Sequence, residues 1–119
     1  MQRMIQATRN SARAFGHLFR HEAAFRQEVI LLVVAIPLAW IISGGWRGFA
    51  LLIGVLVILI VVEVVNTAIE AACNAATREF SDDVMLAKDC GSLAVAFALA
   101  LAGVVWLIAL WEWLAGAPI

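Results

Sequence analysis

The chain has 119 residues, 65% of them hydrophobic and only 14% charged, with a formal net charge of −1. Soluble domains carry roughly 45–50% apolar and about 25% charged residues, so much of this surface must face something other than water. The length allows one domain, and the near-neutral balance leaves no global field for nucleic acid. The two cysteines, Cys73 and Cys90, lack the spacing of a metal site and read as small buried hydrophobes, with no disulfide expected near a cytoplasmic membrane face.

In chain order, residues 1–28 are polar and charged, carry no leader cleavage pattern and are expected to remain in the mature chain. They read as an amphipathic helix on a membrane surface. At about 100° per residue, Arg9, Arg13 and Arg20 fall within about 40° of one another, with Met4, Phe15, Leu18 and Phe19 opposite. Glu22 and Arg26 project onto the apolar side. Either they form an i,i+4 salt bridge, or Glu22 works beneath the surface helix, facing the spans. His17 and His21 are four apart with no third ligand evident, so a solvated or satisfied pair is the reading.

Val29 to Ser43 is uncharged and holds Pro37 midway. It is short for a first span, since about 20 residues cross the hydrocarbon core, so the helix should continue from the preceding segment. Gly44-Gly45-Trp46-Arg47-Gly48 reads as a tight turn. Phe49 to Val62 starts a second span that must run through Glu63 to reach full length. A polar linker follows, roughly Thr77 to Asp83, and Gly91 to Trp111 is a third, uncharged span. In it Ala94, Ala98 and Ala102 repeat every four residues, a spacing that permits close helix contact. The expected fold class is all-α and integral to a membrane: surface helix over 1–28, first span and turn over 29–48, second span over 49–76, cytoplasmic loop over 77–88 and third span over 89–114.

Basic residues orient the spans. Arg3, Arg9, Arg13, Arg20 and Arg26 precede the first span, Arg78 and Lys88 lie between the second and third, and Arg47 alone lies on the other side. Seven against one places the N-terminus in the cytoplasm. Trp40, Trp46, Trp106, Trp111 and Trp113 then mark the opposite interface as an aromatic belt.

The second span carries the most informative stretch, Glu63-Val64-Val65-Asn66-Thr67-Ala68-Ile69-Glu70, followed by Asn74. Glu63, Asn66, Thr67, Glu70 and Asn74 line one face of one helix within about 100°. A carboxylate at the bilayer centre costs roughly 2.5–3.5 kcal/mol on insertion scales, so the stripe must face protein, a wet cleft or a bound cation. Helix–helix glue is the plainer reading, but each carboxylate would then need a cation, and the chain offers few. Carboxylates with amide oxygens form a hard ligand set that suits Mg²⁺ rather than zinc. At the start of the third span, Ala87-Lys88-Asp89-Cys90-Gly91-Ser92 puts the only lysine beside an aspartate. Lys88 is an interfacial anchor or a phosphate-neutralising group. Phosphoryl transfer needs positioning, a metal and cationic neutralisation, which the stripe, Glu22 and Lys88 would supply from one membrane face. Soluble-kinase nucleotide motifs are missing.

Glu22-Ala23-Ala24-Phe25-Arg26-Gln27-Glu28, the Glu63–Glu70 stretch and Ala87–Ser92 together resemble the three signature blocks of prokaryotic diacylglycerol kinase, in order and with matching intervals. The middle block alone resembles the wider superfamily that includes undecaprenol kinase. The resemblance covers nearly the whole chain. It implies a homotrimer in the bacterial inner membrane, with composite active sites at the cytoplasmic interface, using ATP and Mg²⁺. It implies that Glu63 is the general base toward the lipid hydroxyl and that Asn66 supports catalysis. Glu22 and Glu70 match the Mg²⁺ carboxylates. With Arg3, Asn10, Glu79, Lys88 and Asp89 they match nucleotide contacts, while Arg26, Gln27, Glu28, Glu63, Ser92 and Trp106 match lipid-substrate contacts. Asn10 stands where some members carry an aromatic near the adenine, Asn74 where the stripe ends on an acidic residue, and Phe80-Ser81 where a Tyr-His pair lies in the nucleotide loop. Gln27-Glu28 and Gly91-Ser92 favour diacylglycerol as acceptor. The expected activity is phosphorylation of diacylglycerol to phosphatidic acid. The alternatives are the same transfer to undecaprenol, and a non-enzymatic transporter using Glu63 or Glu70 for proton coupling, which would need neither Glu22 nor Lys88-Asp89.

Overall fold

The computed structural model describes residues 1–76, 79 and 81–119; Thr77, Arg78 and Phe80, with the orientation and loop readings that fell on them, lie outside the described residues. Four helices follow one another: α1 (Gln2–His21), α2 (Ala23–Ile42), α3 (Trp46–Ala76) and α4 (Asp82–Leu114). The last three are each long and apolar enough to cross a membrane.

The surface segment and the first span divide earlier than expected. The break falls at Glu22, which is extended (φ −113, ψ 106), not after residue 28. Packing and hydrogen bonding fix the corner. Phe15 meets buried Phe25 edge-on at 5.4 Å and stacks on Phe19 at 6.0 Å. Arg26 Nη1 donates to the Phe19 carbonyl at 3.2 Å, which satisfies one of the orphan acceptors at the end of α1. That bond replaces the Glu22–Arg26 salt bridge considered above and leaves the Glu22 carboxylate available elsewhere. Arg20 and His21 in the last turn complement the negative end of the helix dipole.

Pro37 stays within α2, which runs on to Ile42. Its missing N–H leaves the Val33 carbonyl without a helical donor. Ser43, Gly44 and Gly45 make the turn to α3, where the Gly44 amide donates to the Ile119 carbonyl. Gly48 is buried against the same Ile119 carbonyl, so a Cβ there would force the C-terminal residues away. Trp40, Trp46 and Phe49 cluster at this end with ring centroids 4.8–5.9 Å apart.

α4 begins at Asp82, ahead of the expected residue 89, with Ser81 as its cap and Asp82 and Asp83 in the first turn. Acidic residues there favour the positive end of the dipole. The helix therefore starts in the polar linker, and Lys88 and Asp89 sit inside it.

α3 is the centre of the bundle. It packs along α4 and α2, whereas α2 and α4 scarcely touch and α1 rests on α2 alone. Ala35, Val55, Leu56 and Ala102 form one buried cluster, and Ala39, Ile42, Leu52 and Ala109 another. The buried row of α4 is Gly91, Ala98, Ala102 and Ala109; Ala94 is exposed, unlike in the expected four-residue repeat. Trp106 leaves the aromatic belt as well. Half-buried between the clusters, it donates from Nε1 to the Leu52 carbonyl at 3.0 Å, tying α4 to α3. Val33, Phe97, Leu107 and Leu114 are more than half exposed, apolar surface that belongs in hydrocarbon or against another subunit. Cys73 is half-buried and Cys90 exposed, both free, so neither is the buried hydrophobe expected.

Trp106→Phe keeps the ring and removes the bond to Leu52. Interhelical hydrogen bonds in membranes contribute about 0.6–2 kcal/mol, so the variant should unfold at a lower denaturant midpoint in detergent. An unchanged midpoint would show that the bond adds nothing to stability.

Candidate active site

At about 1.5 Å of rise per residue, Glu63 lies roughly 26 Å along α3 from Trp46, and Glu70 roughly 36 Å. The hydrocarbon core is about 30 Å thick. If Trp46 marks one interface, Glu63 reaches the opposite edge of the hydrocarbon and Glu70 stands in the headgroup region. On that placing the stripe lies at a boundary and not at the bilayer centre, where its charges would cost less.

Two helices and the α1–α2 corner bring carboxylates to this face. Glu63 carries the negative fields of Glu70, one helical turn-pair further along α3, and of Glu22, at the α1–α2 corner. Glu28 on α2 carries that of Glu63. None of the four is ion-paired among the described residues. One oxygen of Glu28 and the Asn66 Oδ1 are buried without a hydrogen-bond partner. Unpaired charges and acceptors of this kind are costly unless a ligand completes them. Thr67 is spent locally, its hydroxyl donating to the Glu63 carbonyl at 3.1 Å.

Two contacts with α4 frame the stripe. Gly91 is buried where a Cβ would collide with Asn66 Oδ1, so only glycine lets the Asn66 carboxamide lie against α4. Lys88 Nζ donates to Asn74 Oδ1 at 2.9 Å. Neither contact was read from the sequence; glycine at a buried helix position beside a polar stripe was the available signal for the first.

Below the stripe an apolar groove of about 350 Å³ opens between α2 and α4. Leu31, Val34 and Leu38 form one wall, Leu99, Gly103 and Trp106 the other, and Leu56 and Leu59 of α3 the floor. Leu59 and Leu56 precede Glu63 by four and seven residues, so they share its face within about 40°.

The remaining expected site residues are dispersed. Arg26 is held at the α1 terminus, Gln27 is exposed on α2, and Asp89 and Ser92 are exposed on α4. Glu79 lies exposed in a bend before α4. Arg3 and Asn10 sit on α1, which reaches neither α3 nor α4 in one chain. The Asn10 carboxamide oxygen already accepts from Gln6 at 3.1 Å and Arg13 at 2.7 Å.

The donor set fits a hard divalent ion in kind: carboxylates and a free amide oxygen, with no thiol or imidazole. Among the described residues no three carboxylate, imidazole or thiol groups come close enough to hold one metal. Mg²⁺ does not require that, because it is commonly bound by one or two carboxylates plus substrate phosphates and water.

Comparison with known proteins identifies the family of the chain. The family model for prokaryotic diacylglycerol kinase matches residues 9–110. The diacylglycerol kinase of Pseudomonas aeruginosa is 40% identical over 106 residues, 89% of this chain and 86% of that protein. The diacylglycerol kinase of Escherichia coli K12 is 34% identical over 110 residues, 92% and 90% of the two chains. That of Haemophilus influenzae is 30% identical over 103 residues, 87% of each. With one family model spanning most of its length and such relatives matched nearly end to end, the chain belongs to the prokaryotic diacylglycerol kinase family.

Proposed function

We propose that this protein phosphorylates diacylglycerol to phosphatidic acid with ATP and Mg²⁺, at the cytoplasmic face of the bacterial inner membrane. The observation that carries the proposal is that Leu56 and Leu59, on the floor of the apolar groove, share a face of α3 with Glu63 one and two turns further along. An amphiphile whose acyl chain lies over Leu56 and Leu59 presents its polar end at Glu63, and the aqueous phase begins within two turns of it.

Glu63 takes the proton from the primary hydroxyl as the oxygen attacks the γ-phosphorus of ATP; the bond to the β-phosphate oxygen breaks and ADP leaves. Asn66, seated against Gly91, offers its amide beside the reacting oxygen. Glu22 and Glu70 are the carboxylates that would hold Mg²⁺, which when bound neutralises the phosphate oxygens. Lys88 adds positive charge on the water side of the stripe. Asp89 and Glu79 serve the nucleotide, and Gln27, Glu28 and Ser92 the lipid headgroup. Trp106 supports the acyl chain as part of the groove wall, while its N–H remains on Leu52.

Arg3 and Asn10 contact nucleotide only if α1 of one subunit leans over another's site. The exposed apolar faces of α2 and α4 favour the same conclusion, a homotrimer with shared sites. The basic residues before α2 put the N-terminus in the cytoplasm. The relatives named above are diacylglycerol kinases, which favours diacylglycerol over undecaprenol as acceptor.

With labelled ATP and both lipids offered, label should enter phosphatidic acid and not undecaprenyl phosphate; the reverse pattern would overturn the acceptor. Glu63→Gln should remove phosphoryl transfer by a factor of about 10² or more while the protein keeps its oligomer and unfolding midpoint. Retained turnover would remove Glu63 as base. Glu70→Ala should raise the Mg²⁺ concentration needed for half-maximal activity, and an unchanged Mg²⁺ titration would remove Glu70 from the metal site.

A further inference from the structure

The Asn66 carboxamide has two ends, and the structure treats them differently. Its Oδ1 is buried and has no hydrogen-bond partner. Its Nδ2 stays accessible, and among the described residues it donates to nothing. A residue of the polar stripe, on the same face of α3 as Glu63, thus keeps both amide N–H donors unspent.

An acceptor buried without a donor is costly, so the arrangement needs a cause. Water does not supply one. The small cavity beside Asn66, about 160 Å³, is otherwise lined by apolar groups such as Val62, Val65, Ile69 and Ala94, and a buried water needs two or more polar partners. Gly91 supplies it. Gly91 is buried in the third turn of α4, where a Cβ would collide with Asn66 Oδ1 and crowd Asn66 Cγ at 3.2 Å. Its bare Cα offers the oxygen no more than a C–H contact, so the seat is one of shape. It takes one end of a flat group and closes that end off. The Asn66 oxygen, an ion ligand in kind, faces away from the site while it is seated there. What the site meets is N–H, and N–H donors stabilise the charge on the oxygens of a phosphoryl group in transfer.

We propose that Gly91 is a positioning residue for phosphoryl transfer: its missing side chain seats the Asn66 oxygen against α4 and turns the two amide N–H groups toward the phosphoryl oxygens over the stripe. The proposal rests on the reading of Asn66 as a residue that supports the transfer. Donors held for a group in transfer act on turnover more than on binding.

The unfolding midpoint in detergent, and kcat with KM for ATP and for diacylglycerol on reconstituted protein, would be measured for Asn66→Ala, Gly91→Ala and the double variant. Asn66→Ala should lower kcat about tenfold or more and leave both KM values within about twofold. Gly91→Ala should do the same, because its methyl displaces the oxygen. In the double variant the atoms that methyl would strike are gone, and the remaining Cβ of residue 66 stands 3.8 Å away, an ordinary contact. Its kcat should therefore fall no further than that of Asn66→Ala, and the midpoint lost in Gly91→Ala should return. Losses that multiply in the double variant would mean that Gly91 acts other than through Asn66, and would overturn the proposal. A Gly91→Ala protein with wild-type kcat would overturn it too, whatever its midpoint, when Asn66→Ala is impaired. An Asn66→Ala protein with wild-type kcat would instead remove the reading beneath the proposal. If Gly91→Ala does not fold, the double variant decides: folded protein with the kcat of Asn66→Ala supports the seat, and unfolded protein overturns it.

Discussion

The structure is organised around carboxylates gathered on one face with no ion pair among the described residues. Glu63 feels the fields of Glu22 and Glu70, Glu28 feels that of Glu63, and none of them is ion-paired among the described residues. In hydrocarbon such a set would be expelled. α3, at 31 residues, is about half again as long as a bilayer needs, long enough for its far end to carry the stripe beyond the hydrocarbon. α2 brings another carboxylate, Glu28, and α4 brings the Lys88 ammonium only to the amide oxygen of Asn74. On the proposed reading, a divalent ion held with nucleotide phosphates completes such a site.

The packing keeps that face open. α2 and α4 both lean on α3 but scarcely on each other, so the groove between them stays unfilled along Leu56 and Leu59. Small residues on α4 let it approach α3 closely, and Gly91 extends that approach to Asn66. At the other end Trp106 spends its N–H on the Leu52 carbonyl, and Gly44 and Gly48 admit the C-terminal residues. The rigid contacts therefore gather near the Trp46 end of the spans, and the uncompensated polar groups gather near the opposite end. On the proposed reading, a lipid alcohol in the groove would span the two regions, as a reaction between a membrane-soluble acceptor and a water-soluble donor requires.

Much of this was legible in the sequence. The apolar runs gave three spans, and the spacing of Glu63, Asn66, Glu70 and Asn74 gave a single polar face. What hydropathy could not locate was where helices begin. Ser81-Asp82-Asp83 is a helix start by capping and dipole rules, but its polarity is equally that of a loop, so hydropathy leaves Lys88 at the edge of a helix it lies within. The break at Glu22 has no glycine or proline to announce it; it depends on Phe15, Phe25 and the reach of Arg26 to Phe19, which are tertiary contacts. The same holds for Trp106, whose residue type suggests an interface but whose neighbours hold it inside. Ala94 fits a four-residue repeat on paper, while the buried row selects Gly91, Ala98, Ala102 and Ala109, a seven-and-four spacing that tracks contact with α3 along the whole span.

The most direct examination of the account is to ask whether this stripe holds a divalent ion once nucleotide is present. Electron paramagnetic resonance with Mn²⁺ in place of Mg²⁺ reports that without turnover. Wild-type protein in nanodiscs with ATP should bind Mn²⁺ beyond what ATP alone retains, and Glu22→Gln should abolish the extra binding. Equal Mn²⁺ binding in the two proteins would mean that the gathered carboxylates serve some other end.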